Sequence, residues 1–291
     1  MMKMEEREMK RKLALLLVFV LVAAVLTGCA SDGSKYKKAA KLMEEGNYAE
    51  AVQIYEELGD YEDSAELLAD AQAKLMRQQY ADVFDALCAD DGVWYCNGGT
   101  DGDVTNSVLR LTFSEDEVAV DAAFIDGNGI HASDTETSAY TVDDSNITFN
   151  AKGETYVFPY AMNGSELTIN DGACLRYADV EAGLQGYWGS YSMNYIAALS
   201  VTTRQANYVY IHDGQIESES ASKALNGGPG EYYYYGPYEG SYTLGVGGFD
   251  TDMDHGNEFF FTIVNGELSV MHYTSVLEPA DGLPGEDGYS F

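Results

Sequence analysis

The chain has only two tryptophans, and both open the same repeated layout, which constrains its fold more than any other feature. Gly92-Val93-Trp94 answers Gly186-Tyr187-Trp188. Further on, Phe158-Pro159-Tyr160-Ala161-Met162-Asn163-Gly164-Ser165-Glu166-Leu167-Thr168-Ile169 answers Phe260-Phe261-Thr262-Ile263-Val264-Asn265-Gly266-Glu267-Leu268-Ser269-Val270. Between these markers run short segments with a period of two. Leu109, Leu111 and Phe113 alternate with Val108, Arg110 and Thr112, and Tyr140 with Val142, Ile147 with Phe149, and Tyr156, Phe158, Tyr160 and Met162 continue the pattern. That period places successive side chains on opposite faces of a strand. Asn163-Gly164 and Asp171-Gly172 are hairpin signals, because tight hairpin turns need residues that tolerate positive φ. The pattern predicts two tandem antiparallel β-meanders of roughly 95 residues each, about the size of small domains. The competing reading is a chance likeness between generic hairpins.

From Tyr36 to about Ala89 the apolar period is helical and proline is absent. Ala39, Ala40, Leu42 and Met43 form one stripe, and Ala51, Val52, Tyr55 and Leu58 the next, with a break at Glu45-Gly46-Asn47-Tyr48 where Gly46 suits a left-handed cap. Gly59-Asp60-Tyr61 breaks again. Asp63-Ser64-Ala65-Glu66 has capping-box spacing, predicting a third, longer helix along which Leu67, Leu68, Leu75, Tyr80, Val83 and Leu87 recur. Ala39–Leu42, Glu45-Gly46-Asn47-Tyr48, Ala51, Tyr55 and Leu58 resemble one tetratricopeptide-type repeat. Leu58-Gly59-Asp60-Tyr61-Glu62-Asp63-Ser64 resembles a helix joint of bacterial envelope proteins. A peptide groove needs about three stacked repeats, so the segment reads as a spacer and packing hairpin, with a partner-binding surface as the alternative.

Lys10, Arg11 and Lys12 precede an apolar run of 14 residues from Leu13 to Leu26, the layout of a secretory signal peptide. Leu26-Thr27-Gly28-Cys29 resembles the lipobox of bacterial lipoproteins, which implies that Cys29 is lipidated and becomes the mature N-terminus. The run is short of the ~20 residues of a membrane-spanning helix, which leaves an uncleaved anchor, or simple secretion, as the alternatives.

The formal charge is −32, and removal of residues 1–28 leaves 11 basic against 45 acidic residues. Such a surface is repelled by phosphate backbones, which argues against nucleic-acid binding. With 46% hydrophobic residues, the chain still has material for folded cores. If Cys29 carries lipid, Cys88, Cys96 and Cys174 remain. The repeat sets Cys96 and Cys174 on the first and last strands of one sheet and favours that disulfide. Cys88 with either partner, or three thiols, are the alternatives.

Each β unit, with its opening Gly-x-Trp and closing Asn-Gly-x-Leu hairpin, resembles the small lipocalin-like domains of bacterial surface proteins. The resemblance implies a barrel or cupped sheet plugged at one end by Trp94 or Trp188. Six or seven short strands per unit are expected, with Phe and Tyr filling the interior and a ligand cavity as the alternative.

Tyr232-Tyr233-Tyr234-Tyr235-Gly236-Pro237-Tyr238, followed by Tyr242, is a candidate binding surface, since exposed tyrosines offer a flat face with a polar tip to proteins or glycans. An ordinary strand with one wet face is the competing reading. Asp250, Asp252 and Asp254 gather oxygens that calcium would prefer. Against an EF-hand, Gly256 is one place late and Phe261 stands where the bidentate carboxylate belongs, so a solvated hairpin loop is favoured and no metal is expected. His131, His212, His255 and His272 are scattered, and no nucleophile elbow or phosphate-binding loop occurs.

The sequence therefore predicts an α+β multidomain protein, with a tetratricopeptide-like helical hairpin followed by two antiparallel lipocalin-like β units. The expected segments are 1–28 signal peptide, 29–34 lipidated tether, 35–89 helical, 90–181 and 182–278 β units, and 279–291 tail. The expected role is non-catalytic and cofactor-free: a lipid-anchored extracytoplasmic protein binding a protein or envelope glycan, or scaffolding. The alternative is small-molecule or glycan binding by the β units.

Overall fold

The computed structural model describes residues 31–97, 106–126, 129–196, 201–224, 232–234, 238–251, 259–264, 266–272 and 275–282. The leader and lipobox (Leu26, Thr27, Gly28, Cys29), Tyr235, Asp252, Asp254 and the end of the chain from 283 lie outside these residues. The described residues divide into two compact units, with the boundary between residues 81 and 82.

The first unit is helical: α1 Asp32–Glu44, α2 Tyr48–Leu58 and α3 Ser64–Gln79. Ala39 and Leu42 of α1, Ala51, Ile54, Tyr55 and Leu58 of α2, and Ala71 of α3 form one buried cluster. α1 ends as the glycine signal predicts. Gly46 has φ 75°, its N–H bonds the Met43 carbonyl, and the Asn47 N–H bonds the Leu42 carbonyl, which together satisfy the open end of the helix. The capping box at α3 does not form, since Asp63 makes no side-chain cap. Its carboxylate instead accepts the Tyr36 hydroxyl at 2.5 Å, and Tyr36 meets Tyr55 and Tyr61 edge-on. The expected long third helix also divides: α3 stops at Gln79, and α4 covers Ala81–Leu87.

Among its described residues the second unit contains two nine-stranded antiparallel sheets, more strands per sheet than the six or seven expected. The first comprises β1 Val93–Asn97, β2 Asn106–Phe113, β3 Glu117–Asp126, β4 Gly129–Ala132, β5 Glu136–Val142, β6 Asn146–Ala151, β7 Glu154–Asn163, β8 Glu166–Ile169 and β9 Cys174–Arg176. After α5 (Tyr177–Leu184) come β10 Gly186–Ile196, β11 Val201–His212, β12 Gln215–Ala224, β13 Tyr232–Tyr234, β14 Tyr238–Leu244, β15 Phe249–Thr251, β16 Phe259–Val264, β17 Glu267–His272 and β18 Ser275–Ala280. Pro279 and Ala280, expected in a loose tail, extend this last strand beside β10.

The two sheets share one neighbour order. In the first it runs β8-β7-β6-β5-β3-β2-β1-β9 with β4 branching from β3; in the second β15-β14-β12-β11-β10-β18-β17-β16 with β13 branching from β12. Both follow one ring, opened at different seams. The first sheet is open between β8 and β9, where Asn170–Gly172 forms a short 3-10 turn in place of the hairpin expected at Asp171-Gly172. In the second, β17 pairs with β18, and a bridge between Gly248 and Phe260 joins the remaining edges into a nearly closed barrel.

Each sheet is preceded by a helix marked by the same four residues: Tyr80-Ala81-Asp82-Val83 before the first, with Tyr80 just ahead of α4, and Tyr177-Ala178-Asp179-Val180 at the start of α5 before the second. Each helix ends on a fully buried leucine whose carbonyl accepts the indole N–H of the repeat's tryptophan. Trp94 reaches Leu87 at 3.0 Å and Trp188 reaches Leu184 at 2.9 Å. α4 therefore sits with the β-rich unit, although its periodicity joins it to residues 35–89. Val83, Phe84 and Leu87 are buried, and Phe84 lies 5.4 Å from Tyr140 of β5.

Strand alternation decides the cores. In the first sheet Trp94, Leu111, Phe113, Val118, Val120, Tyr140, Ile147, Phe149, Phe158 and Ile169 share the inner face and are all buried. Cys96 and Cys174 face each other across β1 and β9 and are joined by a disulfide, with Cα atoms 4.2 Å apart. Val93, Tyr95 and Val108 point the other way and join the barrel core of Trp188, Val209, Ile211, Ile216, Phe249, Phe261, Val270 and Leu277. Tyr95 meets Phe261 edge-on at 5.2 Å and donates its hydroxyl to the Gly245 carbonyl at 3.2 Å, so the first sheet's outer face covers the barrel beside its single-bridge seam.

Candidate ligand-binding groove

On β10 and β11 the residues alternate between barrel core and outer wall. Trp188 pairs with Val209 on the inner face, which puts Tyr187, Gly189 and Tyr191 of β10, and Tyr208, Tyr210 and His212 of β11, on the outer one. Tyr187 stacks on Tyr210 at 4.1 Å, and Tyr210 on His212 at 4.4 Å. His212 Nε2 lies 3.1 Å from a Glu217 carboxylate oxygen.

Gly189 interrupts this aromatic column. Tyr208 stands directly opposite it and leans into the space a side chain would fill, so that a Cβ there would sit 2.4 Å from Tyr208 Cε1. The Tyr208 hydroxyl donates to Tyr191 Oη at 2.9 Å, and the two rings meet at 87° with centroids 6.1 Å apart. Burial first, and then this hydrogen bond, pushes the Tyr208 phenol up to about 12, so it is neutral across ordinary pH.

On the other side of β10, the last strand β18 places Glu278 opposite Gly189 and Pro279 opposite Trp188. Between the tyrosines and this strand lies a groove of about 440 Å³, lined among others by Gly189, Tyr191, Tyr208, Val276, Glu278 and Pro279. That volume falls within the usual range for small-ligand sites. Tyr191 is 44% and Val276 49% exposed, large side chains held open to solvent at the groove's edges. Inside the wall, Ser190 and Asn207 are register partners and Ser218 lies on the next strand, so three buried polar side chains gather there; the Ser190 hydroxyl has no hydrogen-bond partner.

The structure places the tyrosine run elsewhere. Tyr232–Tyr234 form β13 against β12, and Tyr238 opens β14, with β11 and β12 between that edge and β10. Asp250 lies on β15. Among the described residues no three His, Cys, Asp or Glu side chains gather as a metal site requires. His131 stacks on Phe124 of the first sheet, His212 on Tyr210, and His272 on Phe259, three separate places. No helix among the described residues is long and apolar enough to cross a membrane. Compared with family models, curated proteins and solved structures, the chain matches none of them.

Sequence reasoning passed over Tyr187, Tyr191, Tyr208 and Tyr210. Their signal is faint but present: tyrosines two apart on successive strands, with one glycine breaking the series at 189.

Proposed function

We propose that this is a non-catalytic binding protein whose nearly closed barrel takes a small ligand in the groove between Tyr191, Tyr208 and Glu278. The observation that carries this reading is Gly189, whose missing side chain lets the Tyr208 ring lean across the outer wall beside Tyr191, with Glu278 on the strand opposite. Tyrosines contribute both apolar area and a hydroxyl, so a few of them supply a site's affinity and its orientation together. The inner face of the first sheet is occupied by large apolar side chains, which supports an exterior site over a deep lipocalin-type cavity.

The reading includes export and anchoring. A diacylated Cys29 would hold the acidic body at a membrane, since each buried methylene contributes ~0.8 kcal/mol and two chains hold where one is marginal. The helical unit then serves as a spacer between anchor and barrel, and scaffolding would be its share of the work. Labelled palmitate on the cellular protein, lost in Cys29→Ser, tests that part.

Binding is tested by titrating the full chain and its Tyr191→Ser variant with a panel of sugars, amines and small aromatic molecules, followed by calorimetry. Tyr191 is exposed, so the variant keeps its fold. A ligand that binds the parent and is lost in the variant is the expected result. Equal binding by both would move the site elsewhere, with the interior band at Ser190 and Asn207 the first place to look.

A further inference from the structure

We infer that the ligand of the groove is a compact methylated ammonium, an organic cation of the choline type, an inference that rests on the groove being the binding site. The first argument is shape. Tyr208 is pinned over Gly189, and Tyr191 stands at 87° to it, so two aromatic rings meet as a corner. A sugar ring stacks on one open, flat platform, whereas a roughly spherical trimethylammonium touches two perpendicular rings at once and is attracted by the negative face of each.

Charge and apolar surface point the same way. Glu278 lies opposite Gly189, on the far side of the strand from Tyr208, where its carboxylate answers a positive charge held in the corner. Val276 and Pro279 line the same groove, and no lysine or arginine is among its described lining residues. Methyl groups gain from those apolar walls. A bare ammonium or a metal ion, which keeps its water, does not, and a metal would want several oxygens where this groove offers one carboxylate. The whole chain carries −32, a field that draws cations toward it and turns anionic ligands away.

The test is calorimetric titration of the full chain with tetramethylammonium, choline, the uncharged carbon isostere of choline (a tert-butyl group replacing the trimethylammonium) and N-acetylglucosamine. Choline and tetramethylammonium are expected to bind, with the isostere at least about tenfold weaker. Glu278→Gln, an exposed change that spares the fold, should weaken choline by about tenfold and leave the isostere unmoved. Tyr208→Ala should abolish choline binding while the unfolding transition persists. Equal affinity for choline and its isostere would overturn the inference. Tyr191-dependent binding of the sugar alone would overturn it too, yet leave the groove as the binding site. Binding of choline unaffected by both variants would remove the groove reading as well.

Discussion

Gly189→Ala is the sharpest perturbation of this site, because one methyl group on the groove's own lining displaces the ring that covers it. The added Cβ would lie 2.4 Å from Tyr208 Cε1, 2.5 Å from Cδ1 and 3.2 Å from Cζ. Carbon atoms settle about 3.5 Å apart or more, so the ring must retreat by about 1 Å. Gly189 lies in regular strand pairing, and its φ is not in the left-handed region, so the backbone accepts alanine. The ring moves instead of the strand. Its displacement breaks the 2.9 Å bond to Tyr191, costing about 1 kcal/mol, and forces an off-rotamer side chain at a similar ~1 kcal/mol. Replacing glycine within a strand returns ~0.5–1 kcal/mol. The net loss is therefore about 1 kcal/mol, and the protein stays folded. Two readouts follow: urea unfolding should show that small loss, and ring-carbon NMR should show Tyr208 titrating well below the wild-type value of about 12, because it has swung toward water and lost its partner. Groove-dependent ligand binding should fall by about tenfold or more. If Tyr208 still titrated near 12 and binding held, the geometry argued here for the corner would be refuted.

Other consequences are testable without a ligand. Tyr95→Phe leaves the half-buried Gly245 carbonyl without its 3.2 Å donor and should cost about 1 kcal/mol in denaturant unfolding; an unchanged midpoint would mean that this bond from the first sheet's outer face adds nothing to the barrel. Burial pushes the Tyr95 phenol up to about 12 from 10.0. Its neutral form is the favoured one in the fold, so stability is unaffected below pH 10 and falls by up to about 3 kcal/mol as pH rises from 10 through 12 and the phenol is forced to ionise. Unfolding midpoints that stay flat over that range in the wild type, or fall equally in Tyr95→Phe, would contradict this. Reducing the Cys96–Cys174 bond frees a loop spanning 78 residues, which should lower stability by about 4 kcal/mol, seen as a thiol-dependent drop in the thermal transition.

Much of the architecture is legible in local chemistry. Gly46 ends a helix because its φ of 75° suits glycine, and Asn163-Gly164 turns β7 into β8 for the same reason. The Gly-x-Trp repeat marks the first strand of each sheet, since both tryptophans are needed to bond back to the helix that precedes them. The first of these helices reads in the sequence as part of α3, whose apolar spacing it continues, and the second goes unpredicted, although Tyr-Ala-Asp-Val recurs at 80–83 and 177–180. Asp171-Gly172 looks like a hairpin, but β9 returns to pair with β1, so the turn joins strands that are not neighbours. The groove is harder still. Its walls come from β10, β11 and β18, whose adjacency is a matter of strand order, and its key residue is a glycine, which contributes by leaving space. A run of consecutive tyrosines is conspicuous in the sequence. Tyrosines 17 residues apart that share a hydroxyl contact are not.

The most direct test is residue-resolved NMR of the full chain, tyrosine rings labelled, titrated with choline. Saturable shifts confined to Tyr191 and Tyr208, with the Tyr140 signal of the first sheet still, are what this account predicts. Saturable shifts that leave both groove tyrosines unmoved, or that gather on the helical unit's Tyr36 and Tyr61, would contradict it.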